Sequence, residues 1–185
     1  MTLKRMVIGL PRSGTTWAAN WLTIEGHTCV HDPLYFQHYN DWAASYEAVS
    51  CTGIYDWPEF VMRQTCPVVV LRRPIAQVRA SLAEFDTERH GDWLPDDAEE
   101  RLAAIQGPNI VHVKWSDMFK QPMAAQLWRF LNMPTQFDAT RHNQLARMRI
   151  QPRYAMPYDA DMELHARLMA ELRAAKSRVN AGAGA

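Results

Sequence analysis

The chain has 185 residues and carries 20 Lys and Arg against 20 Asp and Glu, so its formal net charge at neutral pH is zero. This length suffices for one domain with a substantial hydrophobic core and is short for two full domains. Zero net charge argues against a bulk nucleic-acid-binding or anionic-membrane-binding surface, although it permits a local basic pocket. We predict a single domain over residues 1–180 and a disordered tail over residues 181–185.

The cysteines and the apolar runs suggest where the protein works. Cys29, Cys51 and Cys66 are isolated, odd in number and without metal-ligand spacing. This pattern favours a reducing compartment. The N-terminus does not resemble a signal peptide, and no apolar run reaches membrane-spanning length. We therefore expect a soluble cytoplasmic protein that acts away from membranes and nucleic acid, with its oligomeric state left open.

The first predicted elements are a strand, a tight loop and a helix. The apolar run at residues 6–10 leads directly into a segment rich in Gly, Pro and Ser. A helical pattern follows, with one apolar face formed by Trp17, Ala18, Trp21 and Leu22. Such a loop directs backbone N–H groups toward the start of a helix, and Gly9 and Gly14 let the backbone close in without a Cβ. We therefore predict an anion site, most plausibly for phosphate.

Apolar runs and helical patterns alternate along the rest of the chain. Strands are predicted at residues 27–31, 49–54, 67–71 and 109–114, and helices at residues 35–49, 57–64, from about 74, from about 96, at about 124–131 and at 161–178. This alternation predicts an α/β fold. We expect three layers (α/β/α) around a central, mostly parallel sheet of about four or five strands, in a P-loop-like nucleotide-binding arrangement.

The loop after the first strand differs from a Walker A loop at one decisive position. Gly9 and Gly14 have the Walker A spacing, but Thr15 stands where that motif needs Lys to reach the β- and γ-phosphates. The cation in this loop is Arg12, two residues before the second glycine. A nucleoside triphosphatase is therefore disfavoured.

A second basic site follows the strand at residues 67–71. Arg72 and Arg73 end this strand, and Ser81 lies in the helix that follows. A guanidinium supplies charge in a fork and a hydroxyl supplies a further donor, so such a pair can hold one phosphate jointly. In open α/β sheets, ligands bind at this edge of the sheet.

Three segments resemble the sulfotransferases that use 3′-phosphoadenosine 5′-phosphosulfate (PAPS). Residues 11–17, Pro-Arg-Ser-Gly-Thr-Thr-Trp, resemble the 5′-phosphosulfate loop of that family. Residues 72–81 resemble its 3′-phosphate motif, and residues 111–134 resemble a strand followed by "YEDL" and a helix ending in "FLGLP". The segments occur in the family's order and span residues 5–134.

The resemblance assigns cofactor-binding roles to individual residues. It implies that the 5′-phosphosulfate is bound by Pro11, Arg12, Ser13, Gly14, Thr15 and Thr16. It places Trp17 against the adenine, and Arg72 or Arg73 together with Ser81 at the 3′-phosphate. Matching through the following proline selects Arg72, which we favour, whereas the commonest Arg-to-Ser spacing selects Arg73. Late phosphate contacts have weaker candidates in Arg141, Arg147, Arg149 and Arg153.

Sulfuryl transfer also needs charge neutralisation on the leaving phosphate and a base for the acceptor. Arg12 is our candidate for the first role. His31 and Asp32 end the second predicted strand at the edge where the loop lies, and they are candidates for the base. Asp56 follows the third strand similarly and is the reserve candidate. The sequence does not decide among them.

The leading hypothesis is a sulfotransferase that moves a sulfuryl group from PAPS to a hydroxyl or amine acceptor. The acceptor is expected to be a small molecule or a carbohydrate, the product nucleotide is 3′-phosphoadenosine 5′-phosphate (PAP), and no metal is required. One alternative is a nucleotide or nucleoside kinase of P-loop architecture, which would need a Mg²⁺-positioning carboxylate. The other is a non-catalytic module that retains the fold and nucleotide binding.

Overall fold

Five parallel strands form one sheet in the order β2-β3-β1-β4-β5. The strands are β1 (Arg5–Gly9), β2 (Cys29–His31), β3 (Ala48–Cys51), β4 (Val68–Arg72) and β5 (Ile110–Lys114). Every pair of neighbours is parallel. β1 and β4 are flanked on both sides, and their apolar side chains are buried on both faces, as expected of central parallel strands.

The structure is a computed structural model that describes residues 3–33, 46–84 and 94–148. All of these lie in one unit of the chain, Met1–Gln151. Most of the helix predicted at residues 35–49 and all of the helix at 161–178 lie outside the described residues, as do Arg149 and Arg153. The single-domain boundary at residue 180 and the disordered tail stay predictions.

Six α-helices accompany the sheet in the described part of the chain. They are α1 (Thr15–Leu22), α2 (Pro58–Met62), α3 (Ile75–Ala83), α4 (Ala98–Ala104), α5 (Gln121–Phe130) and α6 (Ala139–Arg147). Short 3₁₀ helices occupy Gly53–Asp56 and Trp115–Phe119. Among the described helices, none combines the length and the apolar character needed to cross a membrane.

The alternation of side chains along β1 separates two hydrophobic cores. Met6 and Ile8 belong to one core, together with Val78 of α3 and Leu102 of α4. Val7 faces the opposite side and belongs to a second core with the aromatic and aliphatic residues of α1 and α5. Successive strand residues point to opposite faces, so helices cover both sides of the sheet. The predicted three-layer α/β fold with a parallel sheet is confirmed.

Several element boundaries differ from the sequence prediction. β3 ends at Cys51 rather than near residue 54, because the chain turns at Gly53 into a 3₁₀ helix. Pro74 precedes α3 with an extended ψ of 134°, and is therefore the N-cap and not the first helical residue. α6 was not predicted, because its sequence is mostly polar and the fully buried side chain in it is His142.

α6 is anchored to the C-terminal half of α1. The Arg141 guanidinium donates to the carbonyl oxygens of Trp21, Asn20 and Thr23 at 2.8, 2.7 and 2.6 Å. These carbonyls belong to the last turn of α1 and the residue after it, which lack intrahelical partners. Arg141 therefore caps α1 at the end remote from the loop, and this cap fixes the direction in which α1 points.

Candidate functional site

The loop between β1 and α1 turns through two residues in the left-handed region. Arg12 has φ 63° and Gly14 has φ 88°, and the Ser13 N–H donates to the Leu10 carbonyl at 3.1 Å. A Cβ on Gly9 would stand 3.2 Å from the Leu71 carbonyl oxygen, so β4 packs directly on the loop base. The positive φ of Gly14 costs a glycine little. Gly9 thus permits the close approach of β4, and Gly14 adopts a positive φ, a requirement that was not predicted from the sequence.

Three chain segments converge on this loop from the β4 side. Arg12 Nε donates to Ser81 Oγ at 3.1 Å, which joins the loop to α3. Arg73 NH1 donates to the Arg12 carbonyl, and its guanidinium carbon lies 4.4 Å from the ring centroid of Trp115. A hydrogen bond and a cation–π contact together restrict the Arg73 side chain. Arg12, Arg73 and Ser81 therefore form one group, which we call the cationic cluster.

Arg72, the residue preferred from the sequence, does not join the cationic cluster. Its NH1 is 3.5 Å from His112 Nδ1 on β5, and its NH2 is 3.8 Å from Glu99 Oε1 on α4. At the end of β4 the two side chains take different directions, Arg72 toward β5 and α4 and Arg73 toward the loop. Arg73, which the Arg-to-Ser spacing selected, contacts the loop, and Arg72, which the proline match selected, contacts β5 and α4. Which of the two holds the 3′-phosphate stays a prediction.

The cationic cluster holds two guanidinium groups close enough to perturb each other. Burial lowers the pKa of Arg12, and nearby Glu84 partly opposes that shift. Burial also lowers the pKa of Arg73, and the charge of Arg12 lowers it further. Arginine stays cationic at physiological pH despite such shifts. Two adjacent positive charges favour an anion that carries more than one negative charge.

Polar atoms at the cluster are suited to such an anion. Ser13 is fully buried, and its Oγ has no hydrogen-bond partner among the described residues. Arg73 Nε is likewise buried without a partner there. Buried donors that lack partners are costly, and a phosphate supplies the acceptors they need. The cluster therefore fits a phosphorylated ligand.

His31 and Asp32 approach the same loop from the β2 side. His31 Nε2 lies 3.1 Å from Thr16 Oγ1 and 3.2 Å from Thr15 Oγ1. His31 Nδ1 lies 3.4 Å from Asp32 Oδ2. The predicted base candidates are therefore brought into contact with each other and with two hydroxyls at the start of α1. We call His31 and Asp32 the acid–base pair.

The end of β3 fixes Asp32. The Thr52 N–H donates to Asp32 Oδ1 at 2.6 Å, and Thr52 Oγ1 lies 3.1 Å from both carboxylate oxygens. The Asp32 N–H donates to the Ser50 carbonyl at 2.9 Å. These contacts hold Asp32 at a φ of 45°, a conformation that an L-residue rarely adopts. A backbone outlier that its surroundings hold in place is common at functional sites.

Burial shifts both groups of the acid–base pair toward their neutral forms. It lowers the pKa of His31, and the Asp32 charge partly opposes that shift. It raises the pKa of Asp32, while His31 and the hydrogen bonds from Thr52 act in the other direction. The neutral imidazole is the form of histidine that accepts a proton. The pair is therefore suited to general-base chemistry.

Three residues singled out in the sequence have structural contacts instead. Trp17 is 5% exposed, packs against Trp21 with ring centroids 5.6 Å apart, and donates from Nε1 to the Leu145 carbonyl at 3.0 Å. The Trp17 ring thus lies in the second hydrophobic core, and its contact with adenine stays a prediction. Asp56 accepts from Arg101 at 2.9 Å on the surface, and Arg141 caps α1 as described above.

The sequence did not indicate Ser50, Thr52 or Trp115 as site residues. Ser50 and Thr52 are two residues apart at the end of β3, and Ser50 Oγ donates to the Thr15 carbonyl at 2.8 Å. Their position is a usable signal, because both are small hydroxyl residues at the carboxyl end of a parallel strand next to β1, and ligands bind at that edge of such a sheet. Trp115 lies in the segment that resembles the family's "YEDL" run, and its ring contacts Arg73.

Two cavities in the described part of the chain lie away from this site. One of about 350 Å³ runs between β5 and α5 and includes His112, Lys114 and Phe130. The other, of about 260 Å³, lies by the C-terminal end of α1 and includes Trp21 and Trp128. Neither of these two cavities is lined by a residue of the loop. No group of three metal-ligating side chains occurs among the described residues.

Comparisons with known proteins find similarity at the level of structure. No protein-family model matches the sequence. No curated protein matches it. Among solved structures, the chain is similar to mouse sulfotransferase SULT7A1 complexed with PAP, with a TM-score of 0.51 and 11% sequence identity over 78% of this chain. The match spans 63% of that sulfotransferase chain. The similarity shows a sulfotransferase-like fold.

Proposed function

We propose that this protein is a sulfotransferase that moves a sulfuryl group from PAPS to a hydroxyl or amine of a small-molecule or carbohydrate acceptor. The observation that carries the proposal is the contact of Arg12 with both Ser81 and Arg73 beside the loop. The resemblance assigns Arg12 to the 5′-phosphosulfate of the nucleotide, and Ser81 with Arg72 or Arg73 to its 3′-phosphate. The solved structure of similar fold was obtained with PAP.

In the proposed reaction, residues on the β4 side of the loop would bind the nucleotide and residues on the β2 side would accept the proton. Arg73 and Ser81 would hold the 3′-phosphate, and Arg12 would neutralise negative charge on the leaving 5′-phosphate. His31 Nε2 would take the acceptor's proton, with Asp32 stabilising the imidazolium that forms. PAPS itself supplies the sulfuryl group on an activated phosphate. The proposal is supported by the contact of His31 Nε2 with the hydroxyls of Thr15 and Thr16, which belong to the proposed 5′-phosphosulfate loop.

Nucleotide binding gives the first test. PAP should raise the melting temperature more than AMP does, because a ligand that binds only the native state stabilises it by mass action and only PAP carries a 3′-phosphate. The Arg73→Gln variant should lose most of the difference between the two nucleotides. Equal melting temperatures with PAP and AMP in the wild type would remove the case for a 3′-phosphate site.

Turnover separates the leading function from its alternatives. Labelled PAPS is offered with a panel of phenols, alcohols, amines and carbohydrates, with and without Mg²⁺, and ATP is offered in parallel. We expect label transfer from PAPS that does not depend on Mg²⁺. Transfer from ATP that requires Mg²⁺ would indicate a kinase. Tight PAP binding with no transfer to any acceptor class would indicate a non-catalytic module.

A further inference from the structure

The acid–base pair is held by a residue to which no role in the reaction has yet been given. Thr52 follows β3 and is 8% exposed, so its hydroxyl is sheltered from water. Its N–H and its Oγ1 both reach the Asp32 carboxylate. In such a sheltered site, the loss of one donor is not readily made good by solvent.

The ring nitrogen of His31 that carries the hydrogen depends on the group beside each nitrogen. His31 Nδ1 lies 3.4 Å from Asp32 Oδ2, and an ionised carboxylate beside this nitrogen favours the tautomer in which Nδ1 carries the hydrogen. His31 Nε2 is then the acceptor, and the hydroxyls of Thr15 and Thr16 are placed to donate to it. The tautomer that Asp32 selects is the one whose Nε2 can accept a proton.

The geometry points to Thr52 as a positioning residue that, by fixing Asp32, holds His31 in the Nδ1–H tautomer. This inference rests on the proposed function for its catalytic consequence. Thr52 touches neither reacting group itself and acts through the carboxylate. Residues that do not react themselves but orient a ligating or catalytic histidine commonly control both its tautomer and its ring orientation.

Ser50 supplies a matched comparison on the same strand end. Ser50 and Thr52 are two residues apart, and both carry buried hydroxyls. The Ser50 hydroxyl donates to the Thr15 carbonyl and not to Asp32. Ser50→Ala and Thr52→Val therefore each remove one buried hydroxyl from the same region, and only the second removes a donor to the carboxylate.

The experiment is long-range ¹H–¹⁵N spectroscopy of the histidine rings in the full chain, without nucleotide or acceptor. The resonances of His31 are identified by their absence from the His31→Gln spectrum. We expect the wild type and Thr52→Ser to show the Nδ1–H tautomer, and Thr52→Val to show a mixture of both tautomers. Ser50→Ala should retain the wild-type pattern. Should Thr52→Val fail to fold, Thr52→Ala removes the same hydroxyl and is read in the same way.

A kinetic measurement follows on the same variants. Thr52→Val should lower kcat about tenfold, with little change in the KM for PAPS. Loss of a residue that orients a functional histidine indirectly typically lowers activity by about 10- to 100-fold, and we expect the lower end of that range. Thr52→Ser should recover most of that loss. A His31 tautomer unaffected by removal of the Thr52 hydroxyl, or an Nε2–H tautomer in the wild type, would overturn the inference. Absence of sulfuryl transfer in the wild type would instead count against the proposed function, because the tautomer is measured without it.

Discussion

The two sides of the loop hold their functional groups by different physical means. On the β4 side, the cationic cluster consists of groups whose charge does not change with pH, fixed by a backbone carbonyl, a hydroxyl and an aromatic ring. On the β2 side, the acid–base pair consists of two titratable groups, each of which moderates the other's shift. The charge of the first side stays constant near neutral pH, whereas the second side can gain or lose a proton.

This difference predicts how each side responds to change. Removal of a fixed charge alters the affinity for an anion and the stabilisation of developing negative charge. Removal of a titratable group alters a proton transfer and its dependence on pH. Variants on the two sides should therefore separate into those that change binding and those that change only turnover.

The largest effect is expected for His31→Ala. Loss of a general base typically costs about 10²–10⁴ in rate, and PAP affinity should stay near that of the wild type. Burial lowers the pKa of His31, and the base must be unprotonated, so the wild-type rate should rise with pH through a value below the ordinary 6.5. The measurement is kcat/KM against pH beside PAP affinity. A wild-type rate for His31→Ala, or a rising limb above pH 6.5, would remove His31 from the role.

Arg12→Ala should have the next largest effect and tests the other side. A guanidinium at the leaving phosphate stabilises the transition state more than the ground state, and loss of one such donor typically costs about 10²–10³ in rate. Arg12→Lys should keep part of the activity, because the charge survives. Single-turnover transfer and PAP affinity are measured for each variant. If Arg12→Ala transfers as fast as the wild type, Arg12 serves binding alone.

Arg73→Gln and Arg72→Gln sharpen the comparison further. They change neighbouring residues in the same way, but only Arg73 contacts the loop. Hydrogen bonds to charged groups contribute about 1.5–3 kcal/mol, so Arg73→Gln should weaken PAP binding roughly 10- to 100-fold. Arg72→Gln should change it less than about threefold, within the variation expected of a residue that does not touch the ligand. Calorimetric titration decides between them, and a larger loss for Arg72→Gln would place the 3′-phosphate on the β5 side.

The sequence was informative where local pattern determines structure. Apolar runs predicted the parallel sheet, and the loop motif drew attention to Arg12 before any contact was known. Sequence matching ignores the direction of a side chain, and Arg72 and Arg73 take different directions at the end of β4. Thr52 and Asp32 lie 20 residues apart and meet only because β2 and β3 are neighbours. α6 was missed because a buried histidine, not an aliphatic residue, faces the core.

The two sides share α1, which carries Thr15 and Thr16 at its start and Trp17 on its core face. The Trp17 indole contacts Trp21 and Phe119, and its N–H is bonded to α6.

If Trp17 serves only packing, Trp17→Phe should keep most of the aromatic contact and lose one hydrogen bond, at a cost of about 0.5–1.5 kcal/mol in the free energy of unfolding. PAP affinity should then change less than about twofold, because a ring buried on the core side of α1 offers no face to adenine. Chemical denaturation and calorimetric titration of the same variant measure the two quantities. A stability equal to that of the wild type with a large loss of PAP affinity would show that Trp17 contacts the nucleotide, as the resemblance implied, and that the aromatic core of α1 opens when the ligand binds.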